Sequence, residues 1–287
     1  MRKILPIFFS FFLAGLPTAF SFTLSNLDEP ESFICDREDG AYYVSNINGR
    51  PADKDGNGYI SKISPNGNTI IQKFLGDKKG ELLLHAPKGM AIVGKNIFVA
   101  DIDTVKGFNK ETGKPSVLVD MSKFGPKFLN DITADPLGVL YVSDTAMNCI
   151  YKIIPGEDYE VTIFKEGKEL CGPNGLAVNP KTKNLMVVTV SPGEVLEIDA
   201  AGKIHVLKKG LTGLDGIDYD IEGNFYVSSF EKGEIYKIPY FGRGPLLNFK
   251  SGLTTPADIS VDRQKGELLI PSMNGNSVTT ILLKGKK

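Results

Sequence analysis

At 287 residues, with 33 Lys and Arg against 34 Asp and Glu, the chain carries a formal net charge of −1. That balance offers no field to steer it onto nucleic acid or an anionic membrane surface. Hydrophobic residues make up 41% and the charges are dispersed, which excludes a disordered chain and leaves enough apolar side chain for a core.

Met1-Arg2-Lys3 precede a largely apolar run from Ile4 to Leu16, and Ala19-Phe20-Ser21 sets small residues where a signal peptidase reads. Pro6 and Pro17 interrupt this segment, and its clean apolar stretch is shorter than the roughly 20 residues of a membrane span. The expectation is a signal peptide over 1–21 and a secreted or periplasmic mature chain with no membrane attachment. Cys35, Cys149 and Cys171 are too few for a disulfide-built scaffold; a Cys149–Cys171 bridge and three free thiols are both open.

From residue 30 onward the chain repeats. Pro30-Glu31-Ser32, Pro87-Lys88-Gly89, Leu129-Asn130-Asp131, Pro173-Asn174-Gly175, Leu214-Asp215-Gly216 and Pro256-Ala257-Asp258 each open a short apolar run. After a long first interval they recur every 41 to 44 residues, the period of propeller blades. A β-branched or aromatic strand follows in each unit: Tyr42-Tyr43-Val44, Ile97-Phe98-Val99, Leu140-Tyr141-Val142, Leu185-Met186-Val187, Phe225-Tyr226-Val227 and Leu268-Leu269-Ile270. Alternating third strands such as Ile150-Tyr151-Lys152-Ile153 come next. Fourth strands are predicted at Thr69 to Phe74, Val117 to Asp120, Val161 to Phe164, Ile204 to Leu207 and Leu246 to Phe249. The predicted fold is all-β: one six-bladed β-propeller domain over 22–287, with four strands per blade. The sixth unit ends after its third strand, so Phe22-Thr23-Leu24 is assigned to close the ring and cover an open edge. The surplus length of the first unit falls in Asn46 to Gly58, a loop insertion.

Equivalent positions on innermost strands form a ring, which reads Glu31, Lys88, Asn130, Asn174, Asp215 and Ala257. Turn chemistry accounts for single Asn and Asp residues. Two carboxylates facing one another in a narrow channel need a partner or a cation. Oxygen donors from Glu, Asn and Asp suit Ca²⁺, with Mg²⁺ or Zn²⁺ as alternatives. Lys88 either offsets negative charge on a substrate or pairs with Glu31 or Asp215 and leaves no room for a metal.

The set Glu31, Asn130, Asn174 and Asp215 resembles the site of the SMP-30/gluconolactonase/LRE-like (regucalcin-like) family of six-bladed propellers. The resemblance implies that Glu31, Asn174 in Pro173-Asn174-Gly175 and Asp215 in Asp215-Gly216 hold a divalent cation. It also places Asn130, of the pair Asn130-Asp131, beside the substrate. Where that family often has an Arg ahead of the Asn-Asp pair, this chain reads Lys127-Phe128-Leu129, and Ile34-Cys35 stands where an aromatic commonly follows the first Glu.

Two other motifs lead elsewhere. Asp53-Lys54-Asp55-Gly56-Asn57-Gly58 copies half a calcium loop, but its twelfth position is Ser64, so it reads as a plain loop. His85 and His205 are the only histidines, and no Gly-x-Ser-x-Gly elbow exists for a serine hydrolase. The first functional expectation is a metal-dependent lactonase acting on a small lactone or ester, with Asp215 or Asp131 as general base and Asn130 and Lys88 contacting substrate. The alternative is a non-enzymatic, NHL-like binding module.

Overall fold

The computed structural model describes residues 21–76 and 82–283; residues 1–20 of the predicted signal peptide lie outside them. Six sheets of four antiparallel strands form the structure. Their innermost strands are Pro30–Cys35, Pro87–Val93, Leu129–Ala134, Pro173–Val178, Leu214–Tyr219 and Ser260–Asp262, numbered here as blades 1 to 6. These strands touch in order around the axis, and the last packs against the first. The only helical element among the described residues is the single turn Lys168–Leu170. None of their helices is long and apolar enough to cross a membrane. Cys35, Cys149 and Cys171 are free thiols.

Second strands are buried on both faces: Tyr42–Asn46, Leu185–Thr189 and Phe225–Ser229 are buried throughout. Both faces of a blade pack on neighbouring blades, so the core consists of clusters between sheets. One joins blades 2 and 3 through Phe98, Val105, Ile132, Val142 and Tyr151; another joins blades 4 and 5 through Met186, Val188, Ile217, Phe225 and Val227. Each fully buried side chain of this kind contributes about 2 kcal/mol. The predicted outer strands agree with those observed to within two residues.

Ring closure occurs as expected, one residue later than assigned. Thr23–Ser25 pairs antiparallel with Ser277–Leu282 and becomes the outer strand of blade 6. Phe22 locks this closure: its amide donates to Thr280 Oγ1 (3.1 Å), and its ring meets Phe33 and Tyr42 at centroid distances of 6.3 and 5.6 Å.

A local irregularity repeats with the blades. The register between first and second strands slips after Pro30, Pro87, Leu129, Pro173 and Leu214, resuming at Phe33, Met90, Ile132, Leu176 and Ile217. Blade 6 has a related break between the Pro256–Ser272 bridge and the Ser260–Leu269 pair. Such a bulge re-aims side chains. The two residues inside each slip are the predicted ring residue and its successor. In blades 4 and 5 the successor has to be glycine: a Cβ at Gly175 would strike the Asp215 carbonyl, and one at Gly216 the Ile259 amide. Removing residues 21–25 should lower the thermal unfolding midpoint by several degrees and cause concentration-dependent aggregation, since Ser277–Leu282 becomes an open edge. An unchanged midpoint in calorimetry would show that the ring does not depend on this closure.

Candidate functional site

The bulges bring Glu31, Lys88, Asn130, Asn174 and Asp215 to the same level of the channel, at the end where the inner strands begin. Glu31, Lys88, Asn130 and Asn174 are each between 3 and 7% exposed, and Asp215 is half-buried. Burial holds the Glu31 carboxyl well above its ordinary range, reinforced by the charges of Asp215 and Asp131 and opposed by Lys88. Asp215 is pushed up to about 7 by burial and by Asp131. The charge of Asp215 thus reaches Glu31, as their shared level requires.

Their hydrogen bonding is incomplete. Glu31 Oε2 and Asp215 Oδ1 are shielded from solvent and have no hydrogen-bond partner among the described residues. Asn130 donates through Nδ2 to Thr145 Oγ1 (3.0 Å), which donates in turn to the Pro173 carbonyl (2.8 Å). Asn174 Nδ2 donates to the Leu214 carbonyl (3.4 Å). With both amide nitrogens turned into the walls, the two Oδ1 atoms are left as the donors available to the channel. Lys88 does not stand between the carboxylates. Its Nζ donates to the carbonyls of Pro51 (2.9 Å) and Ala86 (3.2 Å) and lies 4.4 Å from the centre of the Phe128 ring. It forms no ion pair with a described carboxylate.

Asp131 has a different setting from Asp215. Its Oδ1 accepts the Ile132 amide (2.6 Å) and its Oδ2 accepts the Leu176 amide of blade 4 (2.6 Å). Asp218 repeats the device two blades on, accepting the amides of Tyr219 and, from blade 6, Val261, each at 2.8 Å. Both carboxylates stitch the unpaired edge of one inner strand to that of the next. Burial pushes Asp131 up to about 7, although its two amide donors pull it down.

Asp258 is the site residue that the ring alignment passes over. It follows Ala257 as Asp131 follows Asn130, so the repeat signal for it lay in the third residue of each triplet. Asp258 is 7% exposed; its Oδ2 accepts Ser32 Oγ (2.6 Å), and its amide donates to the Glu31 carbonyl (2.9 Å). Burial, then Asp131 and Glu31, hold its carboxyl well above the ordinary range. Four carboxyl groups therefore share one channel.

The ring end is overlaid on the blade 1 and 2 side by the predicted insertion. Pro51 meets Lys88, and the Gly56 amide donates to His85 Nδ1 (3.0 Å). The Asp53–Gly58 segment is a loop, as expected, with Asn57 bonded to Asp55. His205 lies on the outer strand Ile204–Lys208, away from the channel. A cavity of about 530 Å³ opens at the opposite end and is lined by Asp131 and Asp258 but by none of the ring residues.

Among the described residues, no three His, Cys, Asp or Glu side chains cluster so as to hold a metal ion alone. A cation at the ring would rest on two carboxylates completed by amide oxygens. The two orphaned carboxylate oxygens and the two available amide oxygens fit a hard cation in type.

No protein-family model matches the chain, and no curated protein matches it in sequence. Solved structures match it in shape. A gluconolactonase from Xanthomonas campestris aligns over 92% of this chain and 90% of its own, with TM-score 0.69 and 15% identity. Virginiamycin B lyase from Staphylococcus aureus, in a catalytically inactive form with quinupristin, aligns over 92% and 99%, with TM-score 0.63 and 15% identity. A protein of unknown function from Bacteroides thetaiotaomicron aligns over 91% and 71%, with TM-score 0.68 and 15% identity. At such identity the likeness establishes the fold.

Two outcomes follow from this geometry. Asp131→Ala and Asp218→Ala should each destabilise the protein by about 2 to 3 kcal/mol in urea unfolding, because each strands two buried amides. A neutral Asp131→Ala would remove the stitch. In the presence of chelator, stability should fall as pH rises from about 4 to about 7. Folded Asp131 and Asp215 keep their protons up to about 7, whereas unfolded carboxylates release theirs near 4, so the native state binds more protons across that window. Thermal midpoints that rise across it would contradict the assignment.

Proposed function

We propose that the chain is a hydrolase of small lactones or esters that works with a divalent cation at the ring, Ca²⁺ in preference to Mg²⁺ or Zn²⁺. The observation that carries this reading is the pair of shielded, partnerless oxygens, Glu31 Oε2 and Asp215 Oδ1, with the one nearby ammonium turned onto Phe128. Buried carboxylate oxygens without partners are costly unless something positive completes them. The gluconolactonase of like fold supports the choice of substrate class, and the lyase is a reminder that this architecture serves other chemistry.

Glu31, Asn174 and Asp215 would hold the cation, whose bound form supplies a Lewis acid toward an ester carbonyl. Asn130, fixed through Thr145, presents Oδ1 to a substrate hydroxyl. Water adds to the carbonyl carbon, the acyl C–O bond breaks, and Asp215 accepts the proton that the departing alkoxide receives. Asp131, with both oxygens engaged, keeps blades 3 and 4 in place, and Lys88 anchors the blade 1 insertion.

One observation favours the NHL-like binding module instead: four of the ring residues, Glu31, Lys88, Asn130 and Asn174, are almost wholly buried, and a spacious cavity lies at the other end. The two readings separate in one experiment. Titration calorimetry with Ca²⁺ should show saturable binding that Asp215→Ala abolishes. Hydrolysis across a lactone and ester panel should fall about 100-fold or more with chelator and with that variant. Hydrolysis untouched by chelation would remove the metal, and inactivity on the whole panel would pass the chain to the binding module.

A further inference from the structure

The 530 Å³ cavity at the turn end has the volume of a small-molecule pocket and is absorbed by no part of the ring. Apolar residues from every blade line it, among them Ile34, Met90, Ile132, Leu176, Ile217 and Ile259. Asp258 closes its inner end. That carboxylate gives Oδ2 to Ser32, while Oδ1 accepts no hydrogen bond from a described residue. No described Lys, Arg or His lies within 4.0 Å of it, and the charges nearest to it, Asp131, Glu31 and Asp215, share its sign.

Of the four cationic side chains lining the cavity, Arg37 is exposed at its mouth and the other three are engaged. Lys110 pairs with Asp36 at 2.7 Å and with Glu38. Arg263 pairs with Asp218 and stacks 3.9 Å from the centre of the Tyr219 ring. Lys183 donates to the Pro180 carbonyl at 2.7 Å. Six carboxylates line the cavity against four cationic side chains, so an anion finds no net attraction there, even though Arg263 Nε is shielded and without a partner.

We propose that this cavity is a second ligand site, separate from the ring, that takes a small organic cation: an ammonium group on an apolar body, with the ammonium on Asp258. An ammonium is the group that a buried, uncompensated carboxylate lacks, and the aliphatic wall accepts the body it is attached to. The assignment does not rest on a metal at the ring.

Three probes of one shape decide it: 2-phenylethylamine, 2-phenylethanol and phenylacetate, titrated into the purified protein by calorimetry. The amine should bind saturably with 1:1 stoichiometry in the millimolar range or tighter, and the alcohol and the carboxylate should not. Asp258→Asn, which keeps an acceptor for Ser32, should weaken the amine about tenfold or more. Thr133→Phe, which adds bulk to the wall from blade 3, should abolish binding, whereas saturable 1:1 binding should persist in Asp215→Ala. Equal binding of amine and alcohol overturns the proposal, as does binding of phenylacetate alone. Loss with Asp215→Ala would move the amine to the ring and equally overturn it. Should Asp258→Asn fail to fold, the wild-type comparison of the three probes still decides.

Discussion

Six strands converging on one axis leave six inner edges with no ladder partner, and the channel is shaped by how those backbone groups are satisfied. Buried amides and carbonyls must find partners. Here side chains supply them from blade to blade. Asp131 and Asp218 each take their own following amide and one from the next inner strand. Ser260 Oγ reaches the Phe33 carbonyl, Ser228 Oγ the Ala257 carbonyl, and the Asp258 amide the Glu31 carbonyl. Glycines at 175 and 216 permit the approach that such bonds need. The ring is thus closed twice, at its rim by the strand Thr23–Ser25 and at its axis by polar stitches.

This way of closing the axis has an electrostatic consequence. Carboxylates are suited to accepting two amides at once, but they carry charge into a place with little water. Glu31, Asp131, Asp215 and Asp258 all titrate higher than usual there, burial being the first cause in each case. Asp131 has its donors and needs no ion. Glu31 and Asp215 lack them, so the same channel holds carboxylates with a structural office and carboxylates with a vacancy in their hydrogen bonding. Local bonding separates the two kinds; residue type and repeat position do not.

That distinction marks how far the sequence could be read. The blades were legible because each repeats an apolar run, a turn and a β-branched strand, a pattern dictated by burial on both faces. The level of the ring was legible because the triplets fall in register. What hid Asp258 was the bulge. It turns two successive residues toward the axis, and a single aligned column records only the first. The direction of Lys88 was equally hidden, since it is fixed by the carbonyls of Pro51 and Ala86 and by the face of Phe128, none of which stands at a fixed spacing from it. The cavity at the turn end was illegible for another reason: it is bounded by inner-strand edges and turns from every blade, which no one segment encodes.

The insertion in blade 1 ties these threads together. Every other unit obeys a period of 41 to 44 residues, so the extra segment is the main break in the symmetry of the ring. Its Pro51 carbonyl draws the Lys88 ammonium outward, and burial there holds that amine below its ordinary value. Lys88 still lowers the Glu31 carboxyl through space, yet it supplies no hydrogen bond to it. A lysine on the inner strand of blade 2, left to itself, has the reach to fold between Glu31 and Asp215 and neutralise them. By holding it against Phe128, a loop outside the repeat leaves the ring acidic and its oxygens unclaimed. The chemical character of that end of the channel is therefore set by the one segment that the propeller architecture does not require.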